Sequence, residues 1–263
     1  MLAPASRPRI ASLPWTHVNA MRPRPDVGKI LGQTFSIFFG NFPAFMAICA
    51  IVLLPALVLQ AWQQMDAFNN PMEPNFVLLI AGLLASFVLQ PIATGALTFG
   101  VFSAIRERKA SINDCLSVGL RRALPVLGVS LVVGILTGLG YMLCLVPGII
   151  LMTMWVAAVP AAVIEEIGVG DALRRSSDLT RGHRWIVFGV VLVIALIGLL
   201  LGGGMAFVIA VTMGESVWMI IVLNTVVTLF SSGLQATFPT LIYYHVRASK
   251  ETIDLDEIAA VFD

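Results

Sequence analysis

Five long stretches of this 263-residue chain contain no Asp, Glu, Lys or Arg, and they limit its fold more than any other feature. They cover 30–65, 74–105, 123–164, 185–214 and 216–246. A bilayer core of roughly 30 Å is crossed by about 20 apolar helical residues. Since every stretch is longer than that, we expect each of them to lie in a membrane.

The overall composition excludes the soluble classes of protein. Hydrophobic residues make up 58% of the chain and charged residues 12%, whereas soluble domains carry about 25% charged residues. This balance rules out a soluble enzyme, a disordered chain and a nucleic-acid-binding protein with a basic surface. The pattern predicts an all-α, polytopic membrane protein.

The third uncharged stretch is about twice as long as one membrane helix requires. Pro147-Gly148 lies near its middle, and a Pro-Gly pair is typical of a turn. We therefore predict two helices there and six transmembrane helices in all, arranged as three hairpins. Their expected ranges are 42–62, 76–104, 124–146, 149–165, 186–212 and 217–246.

The basic residues predict the orientation of the chain. Six spans place both termini on one side of the membrane, and all 16 Lys and Arg residues then lie on that side. The opposite loops carry only Asp66, Glu73 and Glu215. Because basic loops stay in the cytoplasm, we expect both termini to be cytoplasmic.

Three similar segments precede the three hairpins. Each has apolar residues at positions i, i+3 and i+4, which share one face of a helix: Val27, Ile30 and Leu31; Ile112, Cys115 and Leu116; Val169, Ala172 and Leu173. Candidate helix caps are Asp26, Ser111 and Asp171. We predict three amphipathic interfacial helices that lie along the cytoplasmic leaflet with their apolar faces toward the lipid.

A proline in the second helix of every hairpin supports a threefold repeat: Pro91, Pro160 and Pro239. The predicted pseudo-repeats are about 26–105, 110–166 and 168–247, within one membrane domain over 26–247. Whether they close around a threefold axis or pack as a row is open at this point.

The two ends of the chain differ from the membrane domain. Residues 1–25 are rich in Pro and Arg and are expected to form a disordered cytoplasmic tail, in which Met21 is a possible natural start. Residues 248–263 form an acidic cytoplasmic tail that is either a short amphipathic helix or a solvated segment.

Several short strings resemble a known family. They are LVPGII at 145–150, ALRRSSDLTRG at 172–182, ILGQTF at 30–35 and the closing Tyr243-Tyr244 with Arg247. Together they resemble a largely uncharacterised family of bacterial inner-membrane proteins, related to the membrane domain fused to some glycerophosphoryl diester phosphodiesterases. The resemblance covers most of 27–262 and implies a multi-pass protein of the bacterial inner membrane. The phosphodiesterase activity belongs to a separate soluble domain, for which this chain has no room.

The candidate binding residues are mostly arginines beside the predicted interfacial helices. They either bind anionic headgroups or only orient the spans during insertion: Arg121, Arg122, Arg174, Arg175, Arg181 and Arg184. Glu165, at the inner end of the fourth span, is expected to form an ion pair with Arg174 or Arg175; a proton or cation site is the alternative.

Neutral polar residues within the spans provide a second set of candidates. Gln90 and Asn224 could line a polar path, although hydrogen bonds between helices are the default. The motifs Gly134-xxx-Gly138 and Gly198-xxx-Gly202 are expected to mark helix packing within the bundle. The His and Cys residues do not have metal-ligand spacing, and we expect no cofactor.

These features favour a non-enzymatic protein that organises its membrane surroundings. We expect it to bind membrane lipids, most simply anionic ones, or to be an accessory subunit of a membrane complex or a homo-oligomer. The alternative is a transporter of small solutes or lipids, which requires a polar cavity near Asn224 or Gln90. No nucleic-acid partner is expected.

Overall fold

The computed structural model describes residues 26–73, 75–106, 111–212 and 217–261. Within these ranges the chain is α-helical, and six helical segments are long and apolar enough to cross a membrane. They are Phe42–Asn69, Phe76–Ile105, Ala123–Leu143, Leu145–Ile164, Arg184–Val208 and Val217–Lys250. The predicted all-α, six-span fold is confirmed. The predicted tail over 1–25 lies outside the described residues.

A short helix precedes each hairpin. These helices are α1 (Val27–Gly40), α4 (Ile112–Arg121) and α8 (Val169–Thr180). Ser111 caps α4 through a hydrogen bond from the Asp114 backbone N–H, and the Asp114 carboxylate accepts from the Ser111 N–H in return. The predicted cap of α8 was wrong, because Gly168 occupies that position and Asp171 lies in the first turn.

The first hairpin consists of α2 (Phe42–Asn69) and α3 (Phe76–Ile105), and the third of α9 (Arg184–Thr212) and α10 (Val217–Val261). In the second hairpin, α5 (Ala123–Leu143) is followed by α6 (Leu145–Trp155) and α7 (Ala158–Ile164). Residues 248–261 continue α10 as helix, so the backbone of the predicted tail has no break from the last span.

The turn of the second hairpin lies at Cys144 rather than at the predicted Pro147-Gly148. Pro147 is in the first turn of α6, where a backbone N–H has no acceptor within the helix. The absence of an N–H in proline therefore costs no helical hydrogen bond. Gly148 serves close packing instead: a Cβ atom added at Gly140 would lie 3.0 Å from the Gly148 Cα. The two glycines therefore let α5 and α6 approach each other closely.

The helical segment after this turn is interrupted at Val156 and Ala157, just before Pro160. Pro160 lacks the N–H that would bond to the carbonyl four residues earlier, and its ring crowds that carbonyl. The Met154 carbonyl, next to the break, accepts hydrogen bonds from the Ser176 hydroxyl at 2.9 Å and the Thr180 hydroxyl at 3.3 Å. Hydroxyl groups of α8 thus provide hydrogen-bond donors for a backbone carbonyl beside the interruption.

The three repeats pack in a cyclic order. The helices that contain Pro91, Pro160 and Pro239, which are α3, α7 and α10, all contact one another. The first helix of each hairpin contacts the second helix of the preceding repeat: α5 contacts α3, α9 contacts α6, and α2 contacts α10. Because this last contact joins the first repeat to the third, the hairpins form a closed ring and not a row.

The short helices follow the same cyclic order. Helix α4 packs on α3, α8 on α6 and α7, and α1 on α10. The middle residues of the three apolar triads, Ile30, Cys115 and Ala172, are all buried in the protein. The prediction that these faces rest on lipid was wrong for these positions, because each is covered by the second helix of the preceding hairpin.

Small residues permit these close contacts. Gly119 of α4 lies against α3, where an added Cβ atom would be 2.8 Å from the Ala96 Cβ and 3.0 Å from the Ile92 carbonyl oxygen. Ala172 of α8 packs in one cluster with Ala158 and Ala162. Two further clusters surround Cys115 and Ile30, so each short helix enters the core of the preceding repeat.

The two Gly-xxx-Gly motifs do not mark packing inside the bundle. A Cβ atom added at Gly134, Gly138, Gly198 or Gly202 would meet no heavy atom within 4 Å. The predicted role of these motifs was therefore wrong within the single chain.

We predict that Gly119→Leu destabilises the protein by about 1–3 kcal/mol, because the new side chain overpacks the contact between α4 and α3. Gly134→Leu is the matched control, since its site is open. Thermal unfolding in a mild detergent measures both. Equal stability of the two variants would contradict the close packing of α4.

Candidate functional site

Glu165 ends α7 at the point where the chain turns toward α8. Its backbone N–H donates to the Ala161 carbonyl at 3.0 Å, which completes the last turn of the helix. Glu166 follows with a positive φ of 57°, a left-handed conformation that costs a non-glycine residue roughly 1–2 kcal/mol. This reversal directs the Glu165 side chain toward α8 and α10, and only 18% of that side chain is exposed.

Three side chains from two helices form a network around the Glu165 carboxylate. Arg175 of α8 places its Nε 2.9 Å from Oε1 and 3.1 Å from Oε2. The Tyr243 hydroxyl of α10 donates to Oε1 at 2.7 Å. Arg247 Nη1 donates to the Tyr243 hydroxyl oxygen at 2.6 Å and lies 3.5 Å from Oε1. Two guanidinium groups therefore share one carboxylate.

The predicted ion pair of Glu165 is confirmed, with Arg175 as the partner. Burial would by itself lower the pKa of the Arg175 guanidinium, but the hydrogen bond and the charge of Glu165 outweigh burial and raise that pKa. Arg175 thus stays charged, and its interaction with Glu165 retains full charge assistance.

A second pair of charges secures the same turn. Arg122, at the junction of α4 and α5, forms an ion pair with the Glu166 carboxylate. It also donates through Nη1 to the Glu166 carbonyl oxygen at 3.2 Å. The charged networks of Glu165 and Glu166 therefore join the second repeat to the short helix and the last span of the third.

The remaining predicted arginines differ in their surroundings. Arg121, Arg174, Arg181 and Arg184 are all exposed, and they differ in what lies beside them. Arg184 lies at one side of a cavity of about 450 Å³ between α6 and α9. The cavity is otherwise lined by aliphatic and aromatic side chains and one threonine: Val146, Ile149, Ile150, Thr153, Trp185 and Phe188.

Neither of the two cavities described for this structure lies along the predicted polar path. Gln90 donates to the Ser232 hydroxyl at 2.9 Å and so connects α3 with α10. The Asn224 amide oxygen accepts from Thr228 at 3.4 Å within α10. The second cavity, of about 190 Å³, lies between the end of α3 and α10. Gln90 and Asn224 line neither.

Sequence reasoning missed two members of the Glu165 network, Tyr243 and Arg247, and the basic residue Arg106 beside them. Tyr243 is separated from Glu165 by 78 positions, so no local pattern connects them. Their position four residues apart on α10 was a usable signal, because residues i and i+4 share a helix face. No group of three or more His, Cys, Asp or Glu residues suited to a metal ion occurs in the described part of the chain.

Comparison with known proteins adds no relative: no protein-family model matches the chain, and neither a curated protein nor a solved structure gives a significant match.

We predict that Glu165→Gln lowers the free energy of unfolding by about 1–3 kcal/mol, because two partly buried guanidinium groups lose their carboxylate. The matched control is Glu166→Gln at the next position. Its carboxylate is 72% exposed, so its loss should cost less than about 1 kcal/mol. Chemical unfolding of both variants in detergent tests the difference, and equal losses would contradict the proposed importance of Glu165.

His183, between α8 and α9, provides a pH-dependent prediction. Its Nε2 lies 3.4 Å from the Ser249 hydroxyl, and burial and the charge of Lys250 lower its pKa. The unfolded chain therefore binds a proton more readily, and stability should fall as the pH drops below about 6.5. His183→Gln should remove this part of the pH dependence. Unfolding curves from pH 5 to 8 measure the difference, and parallel profiles for both proteins would disprove it.

Proposed function

We propose that this protein is a non-enzymatic, multi-pass protein of the bacterial inner membrane that binds anionic phospholipid. The observation that carries the proposal is the cavity between α6 and α9, which combines apolar walls with one guanidinium group. The likeness to the membrane domain of the phosphodiesterase family stays part of the proposal, without the catalytic activity of that family.

The walls of this cavity suit hydrocarbon chains. Ile150 is 47% exposed and Val146 61% exposed, which places apolar surface where lipid tails surround a membrane protein. Apolar walls hold an acyl chain by close contact, and each contact between carbon atoms adds only about 0.1–0.2 kcal/mol. Specificity therefore has to come from a polar group at the edge of the cavity.

Arg184 supplies that polar group. It is the first residue of α9, and Trp185 beside it is 86% exposed. Tryptophan is typical of the membrane–water interface, where lipid phosphates lie. A guanidinium group binds a phosphate through two parallel hydrogen bonds. We infer that the phosphate of a lipid binds Arg184 while an acyl chain follows α6 and Phe188.

We predict that Arg184→Gln reduces the preference for phosphatidylglycerol over phosphatidylcholine by about fivefold, since one basic residue near a membrane surface contributes about 1 kcal/mol. Native mass spectrometry of the protein from nanodiscs with equal amounts of both lipids measures the ratio of retained lipids.

The matched control is Arg181→Gln. Arg181 lies three residues before Arg184 in the sequence, and it is exposed and does not line the cavity. If both variants lose the preference equally, the attraction is a diffuse surface effect and the site at Arg184 is refuted. Retention of a second protein in place of lipid would instead favour an accessory subunit. Movement of lipid between the two leaflets of vesicles that contain the protein would favour transport.

A further inference from the structure

The cavity between α6 and α9 contains a second polar group besides Arg184. Thr153 is the one hydroxyl-bearing side chain among the described residues that line this cavity, and only 4% of the residue is exposed. A hydroxyl group in an apolar wall loses its hydrogen bonds to water, and other partners have to replace them. The partners open to Thr153 therefore bear on what the cavity binds.

The Thr153 hydroxyl lies on the face of α6 that borders the cavity. It donates its hydrogen to the Ile150 carbonyl at 2.8 Å, and Ile150 also lines the cavity. Because a hydroxyl group has a single hydrogen, the oxygen can now only accept. No residue in the described part of the chain donates to this oxygen. A ligand that carries a hydrogen-bond donor matches it.

Thr153 and Arg184 lie at the same end of the cavity. The Thr180 hydroxyl, at the end of α8, lies 3.3 Å from the carbonyl oxygen of Met154, the residue after Thr153. Thr180 is followed by the short turn that leads into α9, whose first residue is Arg184. The guanidinium group and the hydroxyl group therefore form one polar end of the cavity.

The opposite end of the cavity is apolar. Val146 and Ile149 lie toward the start of α6, and Phe188 lies one turn further along α9 than Arg184. The volume of about 450 Å³ corresponds to roughly 15 groups of the size of a water molecule, at about 30 Å³ each. This is room for a polar headgroup and the first part of one acyl chain.

We propose that Thr153 selects anionic lipids whose headgroup carries a hydroxyl group, with phosphatidylglycerol as the model ligand. This inference rests on the proposed lipid groove and adds the chemistry of the headgroup to it. Arg184 binds the phosphate, and the Thr153 oxygen accepts a hydrogen bond from a headgroup hydroxyl within a few bonds of that phosphate. The acyl chain follows the apolar end toward Val146.

Other headgroups match this polar end less well. The choline headgroup has no hydrogen-bond donor, and it brings a positive charge toward Arg184. The ethanolamine headgroup has donors, but Arg184 repels its ammonium group. A hydrocarbon headgroup on the phosphate leaves the Thr153 oxygen without a donor. An uncharged donor beside a phosphate satisfies both residues.

The test compares two lipids that differ only in hydroxyl groups. Phosphatidylpropanol has the charge and the acyl chains of phosphatidylglycerol, but its propyl headgroup lacks both hydroxyls. The full-length protein is released from nanodiscs that contain equal amounts of the two lipids, and native mass spectrometry measures the ratio of retained lipids. We expect phosphatidylglycerol to be retained about fivefold more, which is the usual effect of one neutral hydrogen bond.

Thr153→Val should lower this ratio to about one, because valine is close to threonine in shape but has no hydroxyl group. Thr153→Ser keeps the hydroxyl group and should keep the preference. The matched control is Thr137→Val in α5. The Thr137 hydroxyl also donates to a carbonyl of its own helix, that of Val133, but Thr137 does not line the cavity. Its change should leave the ratio as in the wild type.

Two comparisons separate this inference from the proposed groove. If Arg184 confers a preference over phosphatidylcholine, but the wild type retains phosphatidylglycerol and phosphatidylpropanol equally, the groove stands and the role of Thr153 is overturned. If Arg184→Gln leaves the preference over phosphatidylcholine unchanged, the groove is refuted and this inference with it. Equal effects of Thr153→Val and Thr137→Val on the ratio would also overturn selection by Thr153.

Discussion

The close contact between each short helix and the second helix of the preceding hairpin organises this fold. In a membrane, helices gain little from the hydrophobic effect, because lipid tails are as apolar as the side chains. Association depends on close packing and on hydrogen bonds. Gly119 against Ala96, and Ala172 beside Ala158 and Ala162, provide such packing with minimal side chains. The cyclic order of the hairpins follows, since α1 makes the same type of contact with α10.

Ion pairs and charged hydrogen bonds connect the helices in addition to this close packing. The Glu165 carboxylate connects α7 to α8 and α10, and Arg122 connects the start of α5 to the turn after α7. Removal of a carboxylate that has two guanidinium partners lowers the stability of the protein strongly, because the two positive charges stay partly buried without their counter-charge. The same network orients Arg247, so a structural ion pair also shapes a polar cavity.

Proline has two separate roles in the second hairpin. At Pro147 the ring lies within the first helical turn and starts α6. At Pro160 the ring follows an interruption, beside which α8 hydroxyls bind the Met154 carbonyl. A sequence pattern alone favours a turn at Pro147-Gly148, because that pair is common in the turns of soluble proteins. The close approach of Gly140 to Gly148 explains the glycine instead.

The sequence by itself determined the six spans, the three short helices and the pairing of Glu165 with an arginine ten positions away. Hydropathy, helical period and short-range charge are local properties, and a linear chain displays them directly. Only the tertiary structure decided that the hairpins close into a ring and that α10 brings Tyr243 and Arg247 to Glu165. It also placed Arg106 opposite Arg247 across a cavity. These contacts join residues far apart in the chain, so no local sequence pattern reveals them.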